Sequence, residues 1–253
     1  MIQSITFGDK NTWDDWRLLP VSRPVFAPPE VKTNYVEIPG GNGVLDLSEA
    51  LTKYPIYKNR TGSFTFRVMN GYLPWQERYS EIMNYLHGRS MKAVLADDPD
   101  YFYQGRFSVD GWNSANTWSE ITIGYNVNPF KWSILSSTDP WIWDPFNFQN
   151  GIIWEDTFSN IAVNSPGEWT QYSFINDFFG SVPISPTIKI SGAPETGIDI
   201  RFVNSYLGID VTMNFKNGET FAPDFVFYGQ NQEYQMYFRG VGTLAIEFRV
   251  GRL

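Results

Sequence analysis

The sequence predicts a mainly β protein: an α+β domain carrying one helix, followed by an all-β domain. Three observations predict it. Short runs of alternating apolar residues recur along the 253-residue chain, 21 Gly and 16 Pro punctuate them, and a single stretch has helical periodicity. The length suits one large domain or two ordinary ones. With 42% hydrophobic and 18% charged residues, the chain can build a packed core.

In chain order, residues 1–8 alternate as a strand, with Ile2, Ile5 and Phe7 as its apolar members. Thr12 to Trp16 reads as a turn with exposed aromatics. Arg23 to Pro29 holds three prolines, which lack the amide that an inner strand needs. Val31 to Ile38 reads as the next strand, and Pro39-Gly40-Gly41-Asn42-Gly43 as a tight or extended loop. Gly62 to Met69 alternates, placing Phe64, Phe66 and Val68 on one face. Pro74 opens the helix, and Gly88 stops it. Between them Trp75, Tyr79, Ile82, Met83 and Leu86 make a single buried stripe. Ser90 to Leu95 resumes as a strand, and Asp97-Asp98-Pro99-Asp100 turns the chain. Tyr101–Val109 and Trp118–Val127 follow as two strands across a polar loop.

After Trp132 the texture changes. Asp139-Pro140-Trp141-Ile142-Trp143-Asp144-Pro145-Phe146 has no period of 2 or 3.6. Residues 133–150 therefore read as an aromatic and proline-rich linker between a first domain, 1–132, and a second, 151–253. Strand-like runs in the second are Ile152–Phe158, Glu168–Phe174, Thr187–Ser191, Ile198–Val203, Leu207–Phe215, Asp224–Phe227, Glu233–Phe238 and Thr243–Val250. Asn217-Gly218 is a hairpin signal. Many short strands without a helix indicate a β-sandwich or jelly-roll.

The net charge of −8 is uneven. Residues 1–131 hold 13 Lys/Arg and 14 Asp/Glu, whereas 132–253 hold 6 and 13. An acidic half without a basic cluster repels phosphate backbones and argues against nucleic-acid binding. No cysteine is present, so disulfides and thiolate metal sites are excluded. The N-terminus lacks a signal-peptide pattern, and no apolar run reaches the roughly 18 residues of a membrane span, so no membrane insertion is expected.

No catalytic, cofactor-binding or metal-binding residue is assigned. His87, the single histidine, sits where an imidazolium would favour the helix dipole, which reads as a cap rather than a base. Asp97, Asp98 and Asp100 lack the calcium-loop spacing and read as a solvated turn. Glu155, Asp156, Glu168, Asp199, Asp210 and Glu247 offer carboxylates for a glycosidase, but nothing pairs two of them at a working separation. Gly40, Gly41 and Gly43 lack the Lys-Ser/Thr of a phosphate loop. Trp141 and Trp143, with Trp154 and Trp169, either stack on sugar rings or partner groups, or fill a core and junction. Arg106 and Lys131 read as a sheet or subunit-junction pair.

Four stretches, in this order, resemble the distal tail proteins of long-tailed bacteriophages and prophages. They are Ile38-Pro-Gly-Gly-Asn-Gly-Val-Leu-Asp-Leu-Ser-Glu-Ala-Leu51; Tyr54-Pro-Ile-Tyr-Lys-Asn-Arg60 with Phe64–Val68; the helix and strand of Pro74–Leu95; and Tyr103-Gln-Gly-Arg-Phe-Ser-Val109 with Trp118–Val127 and Asn128-Pro-Phe-Lys-Trp132. The resemblance covers residues 35–132 and marks Tyr57, Arg60, Gly105, Arg106, Pro129 and Phe130 as motif positions. It implies a split β-barrel-like ring domain with one helix, then a galectin-like or carbohydrate-module-like β-sandwich. It also implies a non-enzymatic hub: a homohexameric ring at the virion tail tip, assembled in the host bacterial cytoplasm. The ring would join the tail tube protein to the tail-associated tip protein, hold receptor-binding proteins, and pass DNA through its channel without specific binding. Arg23–Pro29 and Asp110–Asn116 are expected to reach neighbouring subunits. The alternative is a carbohydrate-binding accessory module acting through the second domain.

Overall fold

The computed structural model describes residues 3–69, 75–114, 119–139, 158–176, 182–228 and 232–253. The chain forms two compact units, residues 1–132 with 253, and residues 133–252. The fold is mainly β, with one helix among the described residues.

The first unit begins with β1 (Ile5–Phe7), β2 (Lys10–Asn11) and β3 (Leu18–Pro20). An outlying hairpin, β4 (Tyr35–Glu37) and β5 (Val44–Asp46), comes next. Then come β6 (Arg60–Val68), α1 (Trp75–Leu86), β7 (Arg89–Leu95), β8 (Asp98–Ser114), β9 (Ser119–Val127) and β10 (Lys131–Ser133). The main sheet runs β2-β1-β7-β8-β9-β6-β3. Alternation decides which face is buried: Phe64 and Phe66 of β6, Phe107 and Val109 of β8, and Ile121, Ile123, Tyr125 and Val127 of β9 share one core. Ile82 and Leu86, on the predicted helix stripe, close it and are fully buried.

Three sequence expectations for this unit need correction. Trp16 is not exposed. It is 1% accessible, because α1 covers it: its Nε1 donates to Glu81 Oε1 at 3.3 Å and its ring meets Tyr85 edge-on. The aspartate turn is shorter than expected, since β8 already starts at Asp98. Val31–Ile38 is not a continuous strand; only Tyr35–Glu37 is, after a single bridge at Val31.

The second unit contains β11 (Ile161–Asn176), β12 (Thr187–Ser191), β13 (Ile198–Asn204), β14 (Ile209–Phe215), β15 (Gly218–Phe221), β16 (Gln232–Glu247) and β17 (Gly251–Arg252). Its sheet runs β14-β13-β16-β12-β15, with β11 also on β16. The two runs expected as Glu233–Phe238 and Thr243–Val250 are one strand bent in the middle. Residues 235–239 pair with β13, and residues 243–247 pair with β12. Gly240 (φ 142°) and Gly242 (φ 152°) make the corner, in a backbone region closed to side chains. A Cβ at either would also crowd Ile198 at 3.2 Å or closer.

Asn217-Gly218 does not make a hairpin. β14 and β15 lie at opposite edges of the sheet, so this dipeptide crosses between them. The Asn217 side chain instead pairs with the Ala193 backbone, its Nδ2 donating to the carbonyl at 2.8 Å and its Oδ1 accepting from the amide at 2.9 Å. Asp224–Phe227 is a turn with one bridge, Ile184 to Phe227. Its aromatics serve as core plugs: Phe225 and Phe227 lie 5.3 and 5.4 Å from Phe202. Of the stretch read as a linker, residues 133–139 run beside Ile246–Val250, with Ser137 Oγ donating to Ile246 O at 2.8 Å. Residues 140–150, and with them Trp141 and Trp143, lie outside the described residues, as do Trp154, Glu155, Asp156 and all but the last residue of Ile152–Phe158.

Candidate functional site

Residues 31–57 leave the first unit and return to it as an arm. Its root is sewn by three contacts: the Val31–Tyr57 bridge, Lys32 N–H to Ile56 O at 2.7 Å, and Lys58 N–H to Glu30 O at 2.8 Å. A Lys58–Glu30 ion pair of 2.9 Å lies beside them. Beyond the root, β4 and β5 pair only with each other. Asp46 and Ser48 stiffen the base: Ser48 N–H donates to Asp46 Oδ1, and Asn34 N–H to Ser48 Oγ. Hydrogen bonds from the Ser48 hydroxyl and then its amide hold the Asp46 carboxyl below its usual range.

Every residue from 31 to 47 is exposed, including Val31, Tyr35, Val36, Ile38, Val44 and Leu45, and Leu51 is 99% accessible. A two-stranded hairpin has no core of its own and is marginal in isolation. An apolar surface displayed this openly, beside a sheet whose β6, β8 and β9 bury one face, marks a contact surface.

The chain flanking the arm's root is tied to the sheet through Arg60, which is 5% accessible. Its Nε donates to Pro129 O at 2.7 Å and its Nη1 to Ala27 O at 3.1 Å. Its guanidinium lies 5.5 Å from the Tyr103 ring, and burial pushes its pKa down. One side chain thus joins the start of β6, the proline arm and the turn after β9. The proline arm is held further by Tyr125, whose hydroxyl accepts from Ala27 N–H at 2.9 Å, and by Phe26, 4.0 Å from Tyr103 and 4.8 Å from Tyr125. Tyr57 meets Phe130 edge-on at 5.6 Å. Gly105 sits across from Val127, so close that a Cβ there would lie 2.4 Å from Val127 Cα.

Of the motif positions, the structure gathers Tyr57, Arg60, Gly105, Pro129 and Phe130 at this junction. Arg106 turns away and donates to the Gly88 carbonyl. Arg106 and Lys131 do not pair: Lys131 binds Asp98 at 2.6 Å and lies over Tyr101. Asp97 pairs with Arg23 at 2.5 Å. His87 accepts the Val109 amide through Nδ1 at 3.1 Å, a bond between helix end and sheet. The described residues hold no cluster of three or more acidic, His or Cys side chains fit for a metal. Asp199, Asp210 and Glu247 each face a cation. Asn214 and Arg239 lower the first, Arg201 the second and Lys189 the third, so none is a carboxyl poised to donate a proton.

The arm itself was missed from sequence. Its signal was there: Tyr35-Val36, Ile38, Val44-Leu45, Leu47 and Leu51 are apolar around a Gly/Pro turn, with no second apolar segment nearby to cover them.

No protein-family model matches the chain, and no curated protein matches it. Among solved structures it is similar to the Dit protein (gp 19.1) of phage SPP1, a paradigm of the hub adsorption apparatus in phages infecting Gram-positive hosts. The TM-score is 0.58, identity is 13%, and the match covers 100% of both chains. The chain therefore carries a Dit-like, β-rich fold.

Proposed function

We propose that this chain is a structural hub protein of a phage tail adsorption apparatus, without enzymatic activity. In this reading six copies form a ring at the virion tail tip, assembled in the host cytoplasm. The ring joins the tail tube to the tail-associated tip protein and mounts receptor-binding proteins, and its channel passes DNA without binding it. The observation that carries this reading is the end-to-end fold likeness to a phage hub protein. The uncovered arm supports it, because a ring subunit needs a surface that only a neighbour completes. The acidic balance of −8 suits a conduit that DNA must slide through.

Native mass spectrometry of the full chain, with negative-stain imaging, tests the reading. A six-fold ring at six times the 29.1 kDa chain mass is expected. A monomer at every concentration, alone and with tail tube protein added, counts against it.

A further inference from the structure

Among the described residues the dipeptide Asn-Gly stands in two places, at Asn42-Gly43 in the turn of the arm and at Asn217-Gly218 between β14 and β15. Asn70-Gly71 and Asn150-Gly151 lie outside the described residues. Such a pair can react with itself. Glycine has no side chain to shield its amide or restrict its backbone, so its nitrogen can reach the carboxamide carbon of the asparagine before it. Asn42 and Asn217 are both exposed, so exposure does not separate the two sites. Restraint does.

Asn217 is tethered at both ends of its carboxamide. Its Nδ2 donates to Ala193 O at 2.8 Å, and its Oδ1 accepts from Ala193 N–H at 2.9 Å. Gly218 opens β15 and pairs with Ile190. Both side-chain bonds must break before the Asn217 carboxamide can swing over the Gly218 nitrogen. Asn42 has no such tether: among the described residues no hydrogen bond engages its side chain. The turn of the arm closes through Gly41 N–H to Ile38 O at 3.0 Å, and the strand pairing ends at Glu37 with Val44. Gly43, at φ 80°, lies outside that pairing, and Gly40, at φ 76°, adds a second permissive backbone position to the same turn.

We propose that Asn42-Gly43 is a self-modification site, where the arm converts Asn42 to aspartate and isoaspartate without an enzyme. The Gly43 nitrogen, its proton taken by water or hydroxide, attacks the side-chain carbonyl carbon of Asn42. A new C–N bond forms, the bond from that carbon to the carboxamide nitrogen breaks, and the nitrogen leaves as ammonia with a proton from water. The product is a cyclic imide. Water adds to either imide carbonyl and opens the ring. One opening gives aspartate; the other gives isoaspartate, whose main chain runs through the former side chain and is a methylene longer. Both put a carboxylate at the tip of the hairpin, between the exposed Ile38 and Val44. The chemistry does not depend on a ring. Its bearing on assembly rests on the hub reading: a carboxylate buried against a neighbour without a partner is costly, so a chain that waits unassembled loses affinity for its neighbours.

The test is incubation of the full chain in mildly alkaline buffer, at a dilution where native mass spectrometry reads monomer, followed by digestion in mild acid and peptide mass spectrometry over time. The Asn42 peptide is expected to gain about 1 Da, and to split into aspartate and isoaspartate forms, about tenfold or more faster than the Asn217 peptide. In urea, which removes the Ala193 tether, the two rates should converge, and Asn42→Gln should silence the first site. Equal rates in the folded chain, a faster Asn217, or a difference undiminished in urea would each overturn the proposal. Asn42→Asp should weaken self-association relative to the neutral Asn42→Ser. Equal association of those two variants would remove the bearing on assembly and leave the chemistry standing. A chain that never associates counts against the ring and not against this site.

Discussion

The β6–β9–β8 body and the β4–β5 arm belong to the same unit and use the same antiparallel pairing. In the body each strand has partners on both edges and a buried face: Phe66, Phe107, Ile121 and Ile123 are fully inaccessible. In the arm each strand has one partner and no buried face. Backbone pairing is common to both, so it is not what makes the body stable. Burial is, and where a sequence keeps pairing without burial it reserves apolar surface for another molecule.

The largest effect should come from emptying the body. Phe66→Ala in the first unit, or Phe202→Ala in the second, is expected to cost about 3–5 kcal/mol, read by urea unfolding. A loss below 1 kcal/mol would break the contrast. Arg60→Met should come next, at about 1–3 kcal/mol, because it strands the carbonyls of Ala27 and Pro129 and frees the proline arm. Faster amide exchange at Phe26, Ala27 and Glu30 and at residues 57–60, with β8 unchanged, is the signature to look for. The smallest effect on stability, within about 0.5 kcal/mol, should come from Val36→Asp with Leu45→Asp. The same double variant should abolish self-association in native mass spectrometry. If it instead unfolds the chain, the arm is part of the core after all.

Legibility followed the distinction between local and distant causes. The helix stripe, β12, β13 and the alternation of β6 were readable, because each is decided by neighbours in sequence. Trp16 was misread because its cover, Glu81 and Tyr85, comes from a helix some 65 residues on. Asn217-Gly218 has turn chemistry, but turn chemistry does not say which strands the turn joins. The glycines at 240 and 242 looked like a break between two strands, whereas they bend one. At the junction, Arg60 was marked only by resemblance; its contacts to Ala27 and Pro129 span 33 and 69 residues and leave no local trace. Trp169 was noted as a sugar-stacking candidate, but the slip of β11 against β16 between Ser165 and Thr170, where it sits, was not foreseeable from Pro166-Gly167 alone.

The root of the arm has one more consequence. Glu30–Lys32 and Ile56–Lys58 are bonded side by side, so the chain departs and re-enters at a single point. What lies between is a cassette. Doubling the length of such a loop costs only about 0.6 kcal/mol in closure entropy, and its strands β4 and β5, beyond the root at Val31 and Lys32, pair only with each other. The segment can be lengthened, shortened or exchanged for a foreign hairpin while the body stays as it is. Under the proposed hub reading, a lineage of such proteins changes the companion it fits by changing this segment alone, and an engineer can graft an epitope at Gly40–Gly41 by the same route.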